Sequence, residues 1–189
     1  MCDQIINNEI NFLISKFNQS NNINYSTKDL TYLRTYTIDE SQTIEIDDAI
    51  SLERIKDGFK LWIHIASPAL YIDYNSVLDK NARKFISTVY LCTSNIYMFP
   101  EILIDSLFSL SQNNVRNSLS LGVIFNNDGT ILCSEIVHSL IKSNYKLSYE
   151  DADELIDYAP KEEEDLSIIS TILQNRKCWR KNLGAIEIL

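Results

Sequence analysis

The sequence predicts an α+β domain, a mixed sheet with helices. Two stretches alternate in polarity on either side of a glycine turn, residues 49–65 around Asp57-Gly58 and residues 119–140 around Asn127-Asp128-Gly129, and each predicts an antiparallel hairpin. Helical periodicity and helix-start signals lie between and beyond these hairpins, and no internal repeat organises them, so helices and strands are interspersed around one core.

In chain order, Ile6, Ile10, Leu13, Ile14 and Phe17 recur at helical spacing and predict an amphipathic first helix that ends in the polar run from Asn18 to Ser26. Residues 1–28 therefore read as an N-terminal helix and linker, a lead-in to a domain over 29–189. Tyr36-Thr37-Ile38 predicts a short strand, followed by an acidic segment from Asp39 to Asp48. The first hairpin comes next, with that segment at its mouth. Ser76-x-x-Asp79 resembles a capping box opening a helix through about Phe85, Thr88 to Leu91 suits a strand, and Pro100 stands near the first turn of a helix towards Leu107. After the second hairpin, Ser148-x-x-Asp151 caps a helix through about Tyr158, and a last helix covers roughly Glu163 to Lys181.

At 189 residues the chain is sized for one ordinary domain or two small ones, and its 45% hydrophobic and 23% charged residues exclude disordered and fibrous classes. Seventeen basic against 26 acidic residues give a net charge of -9, which argues against binding nucleic acid by bulk charge. Carboxylates around a divalent metal escape that argument, because together they present a cation to the substrate. Cys2, Cys92, Cys133 and Cys178 are widely spaced and form no C-x-x-C, so reduced thiols are expected rather than a zinc knuckle or disulfide scaffold. No apolar run reaches the length of a membrane span, and the N-terminus lacks a signal-peptide pattern, so no membrane partner is expected.

The chemistry concentrates in the acidic segment. Asp39, Glu45, Asp47 and Asp48 are separated by apolar or small residues rather than by neutralising lysines. On an extended backbone Glu45 and Asp47 project to one side, Ile44 and Ile46 to the other. Carboxylates so close repel, and an all-oxygen set suits Mg²⁺ or Mn²⁺ with positions open for water and phosphate oxygens, an arrangement fit for phosphodiester hydrolysis. From these residues alone an exposed acidic loop, or a calcium loop without a catalytic role, remains open. Of the other chemical residues, mid-strand His64 reads as a satisfied structural histidine, Arg116 as a phosphate contact or an isolated surface arginine, and Lys161 to Asp165 as a solvent-facing cap of the last helix.

Tyr36-Thr37-Ile38-Asp39 with Glu45-Ile46-Asp47-Asp48-Ala49-Ile50-Ser51 resembles the metal-binding signature of the RNB family of exoribonucleases. Trp62 to Ala66, Ser76-x-Leu78-Asp79, Val89 to Leu91, Met98-Phe99-Pro100, Ser109-Leu110, Lys146 to Ala152 and Gly184 to Ile186 follow in the family's order, in wording nearest to the ribonuclease II-like proteins of cyanobacteria and plastids. The resemblance implies processive 3'→5' hydrolysis of single-stranded RNA to nucleoside 5'-monophosphates, with Mg²⁺ (or Mn²⁺) on Asp39, Glu45, Asp47 and Asp48. It also implies that Tyr90 and Tyr149 contact the RNA near its 3' end. Glu45 stands where better-known members have Asp, Ser67 follows Ala66 where they have Asp, and Tyr97 replaces a Pro. The family's phosphate-clamping arginine and base-sandwiching aromatic belong to a portion beyond the Gly184 block. A complementary chain supplying the rest of the domain is therefore an expected partner, and a catalytically inactive relative serving as a metal-binding or interaction module is the alternative. The Ile-, Asn-, Lys- and Tyr-rich composition suggests AT-rich coding, as in an organelle or a small bacterial genome, and the expected location is cytoplasmic, or the plastid stroma if the chain is organelle-encoded.

Overall fold

The computed structural model describes residues 2–19, 27–158 and 160–186. Helix α1 (Cys2–Gln19) leads to β1 (Lys28–Asp29), β2 (Thr35–Ile38), β3 (Asp48–Ile55) and β4 (Gly58–Ala66). A short 3₁₀ turn precedes α2 (Val77–Phe85), the small hairpin β5 (Val89–Tyr90) and β6 (Asn95–Ile96), and α3 (Glu101–Leu103), which runs on into a π turn (Ile104–Phe108). Strands β7 (Val115–Phe125) and β8 (Ile131–Leu147) form the long hairpin, and α4 (Tyr149–Tyr158) and α5 (Asp165–Asn182) complete the α+β arrangement.

The pairings close on themselves. Strands β2, β3, β4, β7 and β8 neighbour one another in that order, and β8 then runs parallel to β2 through Thr35↔Ser143 and Ile38↔Leu147. Only the length of β8, 17 residues, permits this, because one part of it pairs with β7 and the next with β2. Closure covers the second edge of β8 along its later part, where a free edge would otherwise template association, while Ile131–His138 pair with β7 alone. Facing rows Ser51↔Trp62↔Gly122 and Ala49↔His64↔Ser120 carry small residues beside large ones. A Cβ on Gly122 would lie 2.7 Å from the Trp62 ring, so glycine makes room for the indole.

Among the described residues, apolar packing gathers into three clusters. One packs Trp62, Ile46, Leu110 and Ile141 with Leu30 and Leu33, and another packs Tyr36, Leu52 and Leu61 against Leu166 and Ile169 of α5. The third joins Ile10 and Leu13 of α1 to Leu78, Leu103, Leu107 and Phe108. Helix α1 is thus part of the packed body and not merely a lead-in; residues 20–26 of the polar run lie outside the described residues. The Ser148 capping box forms in full, Ser148 and Asp151 exchanging backbone-to-side-chain bonds at 3.1 Å, whereas at Ser76 one half forms, the Asp79 N–H donating to Ser76 Oγ. Asp79 returns its bond to the Asn75 N–H instead of to Ser76.

His64 is fully buried and structural, as its strand position implied. Its Nε2 lies 2.9 Å from Ser51 Oγ and its Nδ1 2.6 Å from Ser120 Oγ, in a network that continues to Ser139 and Ser118. Burial lowers its pKa to about 4 from 6.5. The unfolded chain therefore takes up this proton first. Stability present above pH 6.5 is lost as pH falls towards 4, by about 3 kcal/mol in total. Urea unfolding of the native chain and of His64→Gln at pH 7 and pH 4.5 checks this; a smaller pH-dependent loss in the variant is the expected result.

Candidate functional site

Of the four predicted carboxylates, Asp39 and Asp48 lie at a strand end and a strand start, and Glu45 and Asp47 lie in the non-strand segment between them. Asp39 follows β2 and its N–H donates to Leu147 O at 3.0 Å, while Asp48 opens β3 opposite Ile65. Between them the backbone turns at residues 40–43, where Lys146 donates to the carbonyls of Ser41 (3.1 Å) and Thr43 (2.8 Å). The segment then passes the end of the π turn, to which Ser109 and Leu110 bond it. Ile46 inserts into the core while Ile44 stays on the surface, so the expected alternation anchors the segment through one isoleucine only.

Glu45 and Asp47 line a cleft of about 370 Å³ whose walls include Pro68, Tyr90, Met98 and Phe99. The Tyr90 hydroxyl donates to Glu45 Oε2 at a long 3.4 Å. Mutual repulsion couples Asp39 and Asp47 to their acidic neighbours. Asp47 is pushed up to about 6, first by the thinned hydration of the concave mouth although its surface stays accessible, then by Glu45, Asp48 and Asp39. Burial and the charge of Asp48 raise Asp39, opposed by Thr43 and Lys146. Partial burial followed by Glu45 and Asp47 raises the Tyr90 phenol. Like-charge crowding of this kind is relieved by an added cation, and an oxygen-only donor set suits a hard divalent one. Among the described residues no three His, Cys, Asp or Glu side chains converge as a ready-made metal-binding group. Tyr149 begins α4, is exposed, and lies two residues beyond the Leu147 carbonyl that Asp39 binds.

The environment of the site corrects three expectations. Arg116 is neither a phosphate contact nor a surface arginine: it is 6% exposed, with Nε donating to Ser109 O (3.0 Å) and Nη2 to Asp105 O (3.1 Å). Its position in β7 points it inward, onto the end of the π turn. Asp165, expected in a solvent-facing run, is largely buried and pairs with Arg54 at 2.8 Å. The strand expected over Thr88–Leu91 is only two residues long, because its hairpin with β6 is too short to extend. Ser109 and Lys146 hold the acidic segment, and sequence reasoning gave neither a role; both stand within motif blocks, the one signal that could have singled them out.

The model of the RNB domain matches residues 27–189. The chain is 39% identical over 160 residues to the chloroplastic/mitochondrial ribonuclease II of Arabidopsis thaliana, spanning 84% of this chain and 20% of that protein. It is 41% identical over 161 residues to an uncharacterized ribonuclease of Synechocystis, spanning 85% of this chain and 24% of that one. The fold superposes on Mycoplasma genitalium RNase R in complex with ribose-methylated single-stranded RNA, with a TM-score of 0.80 and 25% identity over 94% of this chain and 29% of that one. The chain thus spans about a fifth to a quarter of the curated relatives it matches. With the family model covering most of its length and the acidic segment at the mouth of a closed sheet, this chain belongs to the RNB family.

Proposed function

We propose that this chain is the carboxylate-bearing part of a 3'→5' exoribonuclease that hydrolyses single-stranded RNA to nucleoside 5'-monophosphates, with Mg²⁺, or Mn²⁺, as its cofactor. The observation that carries this reading is that the charges of Glu45, Asp48 and Asp39 all act on Asp47, which lines a cleft together with Glu45 and Tyr90. A divalent cation held by these four residues would neutralise phosphate oxygens and lower the pKa of an attacking water. The chain's own groups do the rest. Asp47 and Glu45 face the cleft from one side of an extended backbone, Lys146 pins the loop behind Asp39, and Tyr90 offers an exposed ring at the cleft wall. Aromatic rings of this kind accept any base by stacking, as sequence-independent degradation requires. A complementary chain, or further sequence, would supply the rest of the RNB domain that the relatives possess.

The experiment is degradation of 5'-labelled single-stranded RNA by the purified chain with Mg²⁺ or Mn²⁺, beside a chelator control. A ladder of shortening products, abolished by chelation, is expected; a folded sample that yields none with either cation removes hydrolysis as an activity of this chain alone. In the active reaction Tyr149→Ala is expected to raise the RNA concentration for half-maximal rate about tenfold with little change in the saturated rate, matching the loss of one stacked base. An unchanged concentration dependence would remove Tyr149 from the RNA path.

A further inference from the structure

The segment that carries Glu45 and Asp47 belongs to no strand, yet its backbone is fastened at Ile44 O, at both groups of Ile46 and at Asp47 O. Ser109 Oγ donates to Ile44 O at 2.8 Å and accepts from the Ile46 N–H at 3.1 Å, Leu110 N–H donates to Ile46 O at 2.9 Å, and Ala66 N–H donates to Asp47 O at 2.7 Å. One hydroxyl, 1% exposed, therefore straddles Glu45 by using both its proton and a lone pair.

Ser109 is itself held. It ends the π turn, where its N–H reaches back to Ile104 O at 2.8 Å, and its carbonyl and that of Asp105 accept from the buried Arg116 guanidinium. Turns of this type are rare and concentrate at functional sites. A guanidinium enclosed among main-chain carbonyls is costly unless they stay in place, and the negative end of a helical segment is where they best serve a cation. The fold thus keeps an expensive buried charge directly behind the serine that fixes the acidic backbone.

We propose that Ser109 is a positioning residue for the acidic segment and that Arg116 anchors it, so that Glu45 and Asp47 enter the cleft in a fixed relation. Its bearing on cation binding rests on the cation-dependent reading of the cluster given above. The two residues act through backbone, and neither touches the reacting atoms.

The test titrates Mn²⁺ into the native chain, Ser109→Ala and Ser109→Thr, and follows amide exchange at Ile46 and urea unfolding in parallel. Ser109→Ala is expected to weaken Mn²⁺ binding about 10- to 100-fold, as the loss of groups that orient ligands does. It is also expected to speed exchange at the Ile46 amide at least about tenfold relative to amides in the middle of β3. Ser109→Thr, which keeps the hydroxyl, restores both. Arg116→Lys keeps the charge but loses the planar fork, and is expected to reproduce the loss in milder form, which supplies the test if Ser109→Ala does not fold. Native Mn²⁺ affinity and native Ile46 exchange in a folded Ser109→Ala overturn the proposal, as do losses that merely follow global unfolding and are not restored by threonine. If the native chain binds no Mn²⁺, the cation reading falls separately, and exchange at Ile46 decides the positioning role by itself.

Discussion

Asp48→Asn is expected to cut cation-dependent RNA hydrolysis by more than about 100-fold, beyond the range seen when groups behind a metal ligand are lost. Asp48 opens β3 in register with Ile65, so the ladder fixes its backbone and the substitution removes charge without moving the chain. The same change relieves repulsion on Asp47 and Asp39, both of which its carboxylate raises. Unfolding stability is therefore expected to be unchanged or slightly higher. Rate and urea midpoint measured together separate a lost ligand from a damaged fold: a variant that keeps its rate removes Asp48 from the site, and one that loses rate and stability in step assigns it a structural role.

Trp62→Ala is expected to cost about 3–5 kcal/mol in urea unfolding at pH 7, a large part of the stability of an ordinary domain. The indole is fully buried, and its ring fills the space left by Gly122. Its Nε1 donates to Glu53 at 2.8 Å, and the ammonium groups of Lys28 and Lys60 lie 4.6 and 5.0 Å from the ring centre, with Glu135 paired to both lysines. Removal leaves a cavity at the centre of the closed sheet that the paired strands cannot collapse to fill. A loss below about 1.5 kcal/mol would mean that the sheet relaxes around the gap, contrary to its closure.

The fold class and most elements were legible because their signals are local. Alternation marked the first hairpin, although its turn falls at Lys56-Asp57 and Gly58, with φ 137, opens β4 one residue early. The second hairpin was legible at its turn and too short at both ends. Strand β8 runs on through Lys142, Ser143 and Asn144, polar residues that hide a strand whose partner changes from β7 to β2. Ring closure through a parallel pairing and the two-residue β1 had no local signal at all, since both depend on residues about a hundred positions apart. Pro100 marks a helix running towards Leu107 but not its widening into a π turn, which the Ser109 N–H closes.

The site divides in the same way. The acidic residues announced themselves by their number and by the lack of neutralising lysines, whereas Tyr90 and Tyr149 stood out only through the family resemblance. What fastens the acidic segment had no local signal beyond membership of a motif block: Ser109 is 63 residues from Ile46, and Arg116 reads from sequence as one more cation on a strand. A buried arginine that binds carbonyls leaves no pattern in its neighbours.

The most direct test of the cation-dependent reading is Mn²⁺ binding followed by electron paramagnetic resonance, in the native chain, Asp47→Asn and Asp48→Asn at pH 7. Saturable binding in the native chain that both variants weaken more than about 100-fold is the expected result. Absence of saturable binding by the folded native chain, or binding that both variants leave intact, would contradict a cation site on these carboxylates.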